Sequence, residues 1–341
     1  MIILGIESSC DDSGLALYDT HIKNLRSHVI CSQNLVHKKY GGVVPELAAR
    51  THIQTIIPLL KKLLKNSNLE LNKIDIIAYT KGPGLSGSLL VGASIACSIA
   101  LSINKPVIGI HHLEGHLLSP FLSNNSLTFP FIALLVSGGH TQLIKVNSMG
   151  NYFLLGETLD DAAGETFDKI AKMLDLGYPG GPKISLISEF GDPNIYKFPR
   201  PMLYTNDFNF SFSGLKTSVL NVIKNIKLDL LKQEKANIAR GFLDAIIDVL
   251  TSKCIAALKN TGFNKLVVVG GVGANKQLRK KLNILKKKYN YTVFYPKKEF
   301  CTDNGAMIAF AGAMRIENNS NLELNYEFNI KPQWKINQIK I

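Results

Sequence analysis

Two histidines four residues apart are the clearest candidates for chemistry in this chain. His112 and His116 belong to the segment HHLEGH, which directly follows the apolar run 106–110. If a buried strand ends there and continues into a helix, the two imidazoles lie on one face of that helix. Such a pair is a usual way to bind one metal ion through nitrogen atoms. The spacing alone leaves packing or capping at a helix start as an equal alternative.

An acidic turn near the N-terminus is the second candidate. The segment ESSCDDS carries three carboxylates, Glu7, Asp11 and Asp12, together with three serine hydroxyls. It joins the apolar segments 2–6 and 15–18, a pattern that predicts a strand–turn–strand hairpin. Turns favour Asp, Ser and Gly for backbone reasons alone. The same groups can also surround a phosphate and its metal ion with N–H groups, hydroxyls and carboxylates.

A second hairpin of this kind is predicted later in the chain. The turn SGGHT, residues 137–141, separates the apolar segments 131–136 and 142–146. Its two glycines allow the backbone to approach a ligand closely with the N–H groups turned inwards. Two hairpins in matching contexts indicate a duplicated α/β fold. This arrangement resembles the actin/Hsp70/sugar-kinase superfamily (ribonuclease H-like), a two-lobed ATPase fold whose paired hairpins flank a nucleotide phosphate.

The intervening segments must position these candidates. We expect a helix through about residue 64 after the loop GGVVPELAARTH, and a strand at 75–80. The small-residue segment 85–103 is expected to form a helix buried between layers, and its glycine loop lacks the Lys-Ser/Thr pair of a P-loop. A strand at 265–269 and the turn GGVGAN lead into a further helix, where backbone can seat a ribose or an adenine. Thr302 or Asp303 could cap the last helix, and N-capping is the ordinary role of Asp303 at such a position.

The predicted domain organisation follows from the duplication. The first lobe spans residues 1–115 and is completed by about 303–341. The second lobe spans 116–302 and contains a helical insertion at about 150–235.

Composition limits the possible partners and the compartment. The chain has 341 residues and a formal net charge of +13, which suggests a polyanionic partner such as nucleic acid. A compositional bias towards lysine is the alternative explanation. The five cysteines form no CxxC pair, which favours a reducing compartment over a disulfide framework or a zinc knuckle. Neither a signal peptide nor a membrane span is predicted, so the expected location is the cytoplasm.

Ten motifs together resemble the bacterial TsaD branch of tRNA threonylcarbamoyladenosine synthesis. They cover almost the whole chain, from residue 5 to about 309, and HxEGH with SGGHTQL and CTDNGAMIA is highly specific. Two departures from the family pattern are Ser185, where many relatives have an acid, and Cys97, where a basic residue is more usual. The matching stretches are GIESSCDDSG, GGVVPELAARTH, GPGLSGSLLVG, HHLEGH, FPFIALLVSGGHTQL, DDAAGETFDK, YPGGP, FSFSGLKT, GGVGAN and CTDNGAMIA.

The resemblance implies an acyltransferase. A threonylcarbamoyl group would pass from threonylcarbamoyl-AMP to the N6 amine of the adenosine 3′ of the anticodon (position 37), in tRNAs that read ANN codons, to form t6A. The implied partners are the tRNA, a TsaB-like paralogous subunit and a TsaE-like small ATPase, with no membrane. The small-residue segment 85–103 could contact the paralogue, although a role as ordinary core is the simpler expectation.

The resemblance also implies the site residues. The metal ligands fall on His112, His116 and Asp303, with iron(II) as the expected metal and zinc as the alternative. The substrate contacts fall on eight residues: Leu135, Val136, Ser137, Gly138, Gly139, Asp168, Gly181 and Asn275.

The general base is a hypothesis drawn from the acidic turn alone. An adenine amine is a poor nucleophile, so a nearby carboxylate is expected to take its proton. Glu7, Asp11 and Asp12 are the three candidates.

Two rival functions fit parts of the sequence. A metalloprotease is suggested by the spacing of His112 and His116, but the zincin motif HExxH places its acid next to the first histidine, whereas Glu114 is two residues further on. A small-molecule kinase or a non-catalytic ATPase-fold partner is suggested by the hairpins, but it leaves the histidine pair unexplained.

Overall fold

The computed structural model describes residues 1–226, 231–318 and 324–339. The chain forms two compact units, which we call unit 1 and unit 2. Unit 1 comprises Met1–Asn125 with Pro296–Ile341, and unit 2 is the continuous stretch Ser126–Tyr295. Residues 116–125 and 296–302, expected in the second lobe, therefore lie in unit 1. The expected lobe boundaries at 115 and 303 thus differ by a few residues from those of the units.

Across the described residues there are ten strands and ten α-helices, besides six short 3-10 helices. The strands are β1 (Ile2–Glu7), β2 (Asp12–Asp19), β3 (Asn24–Ser32), β4 (Ile76–Gly82), β5 (Val107–His111), β6 (Phe131–Val136), β7 (Thr141–Ser148), β8 (Asn151–Glu157), β9 (Lys265–Val269) and β10 (Thr292–Phe294). The helices are α1 (Asn34–His37), α2 (Pro45–Ser67), α3 (Ser86–Ser102), α4 (His112–Leu118), α5 (Ala163–Met173), α6 (Gly180–Ser188), α7 (Ser213–Asn225), α8 (Lys232–Thr261), α9 (Lys276–Tyr289) and α10 (Gly305–Asn318). None of these helices is long and apolar enough to cross a membrane.

The two units repeat one sheet topology. The unit 1 sheet has the order β3-β2-β1-β4-β5, and the unit 2 sheet has the order β8-β7-β6-β9-β10. In each sheet three antiparallel strands come first, joined by the predicted hairpins, and two parallel strands are added beside the first of them. The duplication expected from the two Ser- and Gly-containing turns is confirmed.

Helix α10 packs directly against the first strand of unit 1. A side chain at Gly5 would place its Cβ 2.3 Å from the carbonyl oxygen of Gly305. Only the absence of that Cβ permits the approach, which brings the start of α10 to the unit 1 sheet. The C-terminal residues thereby complete a unit that begins at the N-terminus.

Helix α3 is less buried than the sequence predicted. Ala93, Ala96 and Ala100 are buried, but Leu90 and Leu101 are 50% and 61% exposed. The helix contacts α2 and β4 on one side, so its small residues allow close packing there while the opposite side remains exposed.

The predicted insertion at about 150–235 begins with a strand of the unit 2 sheet. β8 pairs with β7 in an antiparallel register that is interrupted by two irregularities. The sequence of β8, NYFLLGE, mixes polar and apolar residues, so its pattern did not predict a strand. An edge strand needs apolar residues on one face only. The helical part therefore starts after Glu157. Helix α8 forms much of the unit 2 core, with eighteen buried residues between Ala236 and Leu258.

Candidate functional site

The histidine pair lies at the junction between strand β5 and helix α4, as predicted. His111 ends the strand, and its Nδ1 accepts a hydrogen bond from the Leu113 N–H (3.1 Å), which caps the helix. The rings of His112 and His116 are 4.8 Å apart between centroids and nearly perpendicular. Both side chains are almost fully buried. His111 therefore starts the helix, and the next two histidines of the motif share one face.

Asp303 joins this pair from the turn before α10. Its Oδ1 lies 3.0 Å from His116 Nε2 and 3.5 Å from His112 Nε2. The cap of α10 is Asn304, whose Oδ1 accepts a hydrogen bond from the Met307 N–H (2.9 Å), so the capping alternative for Asp303 is wrong. The candidate ligand atoms of the three residues all lie within 4.8 Å of one another. Two imidazoles and one carboxylate form a donor set that suits a divalent transition metal.

Glu7 is the carboxylate behind the first histidine. It is fully buried, and its Oε2 lies 3.0 Å from His112 Nδ1. The Ser9 N–H donates to its Oε1 and the Thr80 hydroxyl donates to its Oε2, both at 2.6 Å. A carboxylate bonded to the far nitrogen of an imidazole fixes its tautomer and leaves the other nitrogen to bind a metal. Glu7 thus positions His112, and Ser9 and Thr80 hold Glu7.

The negative charge around His112 favours a cation. Burial alone lowers the pKa of His112, but Glu7 and Asp303 outweigh it and raise that pKa to about 9. Burial alone would raise the pKa of Glu7. The charge of His112 and its hydrogen bond to Glu7 outweigh burial, so the pKa of Glu7 is lowered below its ordinary value. A positive charge is therefore stabilised at this position, which fits a bound divalent metal as well as a proton.

Asp12 differs from Glu7 in having few hydrogen bonds. It begins strand β2, and its Oδ1 is buried without a hydrogen-bond partner. Burial raises its pKa to about 7, with further contributions from Asp11 and Asp303. Asp11 lies half-buried in the same turn. The structure thus separates the three acids of the turn, since Glu7 is bound to His112 and Asp12 retains an unbonded oxygen.

Glu114 forms a buried ion pair with helix α10. Its side chain is fully buried, and its Oε2 accepts a hydrogen bond from Arg315 Nε at 2.7 Å. This contact holds the histidine helix against the helix that follows Asp303. A general base of the protease type must reach a metal-bound water, whereas this carboxylate is paired with a guanidinium in the core.

In unit 2 the expected substrate residues are distributed around the end of strand β6. The strand places Leu135 and Val136 in the core and ends at the Ser137 turn. Gly138 and Gly139 are exposed, and a Cβ at either position would meet no atom within 4 Å. The backbone of this turn is therefore accessible to a ligand.

Helix α5 begins against the same turn. The N–H groups of Gly164 and Glu165 donate to the carbonyl oxygens of Ser137 and Gly138, at 3.2 and 3.1 Å. A Cβ at Gly164 would lie 2.4 Å from the Ser137 oxygen, so this close contact needs glycine. The turn is thereby fixed by the start of a helix.

Each of the three remaining expected substrate residues lies in helix α6 or contacts it. Asp168 Oδ1 accepts a hydrogen bond from the Gly180 N–H (2.6 Å), next to Gly181, whose Cβ position is open. Asn275 caps α9 through the Leu278 N–H (3.0 Å) and donates from Nδ2 to the Ser185 hydroxyl at 2.7 Å. Ser185, one of the two departures from the family pattern, thus contacts a predicted substrate residue.

Several positioning residues were missed from the sequence. Ser9 and Thr80 were not identified as partners of Glu7, because Ser9 contacts it through a backbone N–H group, which every residue but proline has, and hydroxyls like that of Thr80 are common at strand ends. Asp160 was not identified either, although it accepts hydrogen bonds from the hydroxyls of Ser211 and Ser213, at 2.5 and 2.7 Å. Asp160 begins the stretch DDAAGETFDK, and the two serines lie in the stretch FSFSGLKT. The presence of both stretches in the sequence was the signal that could have indicated this contact.

Comparison with known proteins agrees with the motifs. Residues 24–310 match the model of the TsaD family, tRNA N6-adenosine threonylcarbamoyltransferase. The chain belongs to this family. A relative of that name from Herminiimonas arsenicoxydans is 61% identical over 100% of this chain and 99% of its own. The corresponding protein of Ralstonia pickettii is 54% identical over the same shares.

Solved structures support the fold of this TsaD-family chain. HypF of T. kodakarensis covers 93% of the chain with a TM-score of 0.62 at 13% identity, and the match spans 48% of HypF. Component A of the (R)-2-hydroxyglutaryl-CoA dehydratase of Acidaminococcus fermentans covers 94% of this chain and 100% of its own, with a TM-score of 0.55 at 16% identity. The predicted α/β fold of the actin/Hsp70/sugar-kinase type is confirmed.

Proposed function

We propose that this TsaD-family chain transfers a threonylcarbamoyl group to the N6 amine of adenosine 37 in tRNAs that read ANN codons, forming t6A. The donor is threonylcarbamoyl-AMP. The observation that carries the proposal is the group of His112, His116 and Asp303, with Glu7 behind it, in a chain 61% identical over its full length to a protein of that activity.

The metal group accounts for activation of the donor. A mixed carbamic–phosphoric anhydride needs its carbonyl polarised and its leaving phosphate neutralised, and a divalent metal supplies this as a Lewis acid. His112, His116 and Asp303 would bind the metal, and Glu7 would keep His112 Nε2 directed towards it. Iron(II) is the proposed metal and zinc the alternative, since both accept imidazole and carboxylate ligands.

The residues of unit 2 account for nucleotide binding. The exposed backbone of Gly138 and Gly139 would accept the AMP phosphate through N–H groups. Asn275 would contact the nucleoside, with Asp168 and Gly181 near the start of α6. Leu135 and Val136 act through the backbone that leads into the turn.

Among the three acids, Asp12 is the proposed general base. Its pKa of about 7 lies close to the operating pH, which suits a group that must accept a proton and release it again. Glu7 is occupied by three hydrogen bonds and serves as a positioning residue. Replacing each of Glu7, Asp11 and Asp12 by its amide is expected to reduce transfer while tRNA binding is retained. Unchanged turnover in all three would contradict the hypothesis.

The proposed partners follow from the family. We propose that the chain acts in the cytoplasm with a TsaB-like paralogous subunit and a TsaE-like small ATPase. The adenylate would come from a separate enzyme. The target adenine must leave its stack to be reached, as for other enzymes that modify bases.

One assay tests the transferase function against its rivals. The chain, with the TsaB-like and TsaE-like proteins, is given threonylcarbamoyl-AMP and unmodified tRNA, and t6A is measured in the digested tRNA by mass spectrometry. Formation of t6A that is lost in His116→Ala is the expected result. Cleavage of casein, or ATP consumption with a small-molecule acceptor in the absence of t6A, would instead support the protease or the kinase.

A further inference from the structure

The positive charge of this chain is concentrated in one stretch of sequence. Twelve of the 39 lysines and arginines lie in residues 249–298, which contain no Asp or Glu. The other 27 basic residues nearly balance the 26 acidic residues of the rest of the chain. A general bias towards lysine would distribute the excess throughout. Ten of the twelve residues lie in unit 2, so the excess charge belongs mainly to one part of that unit.

Helix α9 carries half of these charges on its outer side. Leu278 and Leu282 pack into the core of unit 2. Six lysines of the helix are exposed: Lys276, Lys280, Lys281, Lys286, Lys287 and Lys288. The helix contains no acidic residue, so no pairing between its own turns neutralises this side.

Side chains of neighbouring elements neutralise little of the positive charge of α9. Among the described residues, the ion pair of α9 is that of Lys281 with Asp248, at 3.4 Å. Lys276, Lys280 and Lys287 follow one another at intervals of four and seven residues, which places them on one side of the helix over about 16 Å. A row of unpaired cations of this length matches a polyanion and not a single small ligand.

The row begins next to the expected nucleotide contacts. Asn275, which caps α9, is an expected substrate residue, and Lys276 is its neighbour in the sequence. We propose that the outer side of α9 binds the phosphate backbone of the acceptor tRNA, an assignment that rests on the proposed function. Lysine contacts with phosphate neutralise charge and release counterions, so they anchor the nucleic acid without recognising its sequence.

Charge removal tests this surface. The triple variant Lys280→Gln/Lys286→Gln/Lys287→Gln loses three exposed charges and keeps good helix formers. The matched control, Lys61→Gln/Lys62→Gln/Lys65→Gln, loses three exposed charges from helix α2 of unit 1. Binding of the full-length chain to unmodified tRNA is measured by fluorescence anisotropy at several salt concentrations. Thermal unfolding of both variants verifies that they are folded.

The expected result is specific to α9. The α9 variant should bind tRNA at least about tenfold more weakly at low salt, and its log K against log salt slope should fall by roughly two to three. The control should behave as the wild type does. Equal slopes for all three proteins would overturn the proposal, as would an α9 variant that loses binding to phosphatidylglycerol vesicles but not to tRNA.

The same variants separate this proposal from the transferase function. Binding of AMP is expected to be unchanged in the α9 variant, because no substrate residue is replaced. If the wild-type chain with its partners forms no t6A, the proposed function fails, while the salt dependence of tRNA binding still decides whether α9 is the binding surface.

Discussion

At the scale of single residues, two acids of the N-terminal turn have clearly different surroundings. Glu7 and Asp12 belong to one turn of seven residues, yet one is bound to His112 and the other keeps an unbonded buried oxygen. Two carboxylates of the same turn thus have different surroundings, which shift their pKa values in opposite directions, and this difference is the basis for proposing Glu7 as a positioning residue and Asp12 as the general base.

Glu7→Gln is expected to weaken metal binding. The neutral amide no longer supplies the charge that holds His112 in the tautomer needed for binding through Nε2, and loss of such an outer contact costs about 10- to 100-fold in affinity. Competition titration with a chelator measures the metal Kd of the purified chain. Glu46→Gln, which alters only an exposed pair with Arg50, is the control. An unchanged Kd in Glu7→Gln would show that His112 does not need the carboxylate.

The raised pKa of Asp12 predicts how the stability of the metal-free chain varies with pH. Its pKa is about 7 in the folded chain against an ordinary value of 3.8, so the folded state holds this proton more tightly than the unfolded state. This contribution is fully present below about pH 4 and is lost as the pH rises to about 7. Urea unfolding between pH 4 and 8 is expected to show the loss in the wild type, and a smaller one in Asp12→Asn. Equal pH dependence in both proteins would contradict the raised pKa.

At the scale of elements, the ion pair between α4 and α10 joins the two segments that carry the proposed metal ligands. Glu114 is fully buried, so the removal of Arg315 leaves its carboxylate without the guanidinium. Breaking a buried pair by removing one partner costs about 3–5 kcal/mol, whereas an exposed pair contributes about 1 kcal/mol or less.

Arg315→Met is therefore expected to destabilise the chain by about 3 kcal/mol. The control, Arg50→Met, breaks the exposed pair with Glu46 and should change the unfolding free energy by less than about 1 kcal/mol. The double variant Glu114→Gln/Arg315→Met should recover part of the loss, since no unpaired charge remains. Urea denaturation measures all three. A double variant as unstable as Arg315→Met alone would mean that packing, and not charge, makes this contact important.

The elements that the sequence predicted well are those with a local signal. Both hairpins followed from apolar runs around polar turns, and the face shared by His112 and His116 followed from their spacing. Local sequence could not predict the contact of Glu114 with Arg315 or that of Glu7 with His112. The two residues of these pairs are 201 and 105 positions apart, respectively. Local sequence also left Asp303 as a possible helix cap, because Asp and the neighbouring Asn304 are both favoured at N-cap positions.

At the scale of the whole molecule, unit 2 is continuous in sequence and unit 1 is not. Residues 126–295 contain every strand of their sheet and their own hydrophobic core. Unit 1 depends on α10, which returns from the far end of the chain to pack on β1.

A fragment of residues 126–295 is therefore expected to fold by itself. It should unfold cooperatively on heating and show a near-UV circular dichroism signal, because its core is complete. Residues 1–125 alone should lack both properties, since Gly5 and its neighbours would lose α10. A non-cooperative transition for residues 126–295 would indicate that unit 2 needs contacts outside its own sequence.

The order of the three proposed metal ligands along the chain has a consequence for biosynthesis. His116 and Asp303 are 187 positions apart, and all of unit 2 lies between them. At 5 to 20 residues per second, a ribosome needs roughly 10 to 40 s to add the carboxylate after the imidazoles. A nascent chain during that interval, or a product of premature termination, carries two of the three proposed ligands. With the proposed ligand set, an ion could bind all three residues only after nearly all of the protein has been made.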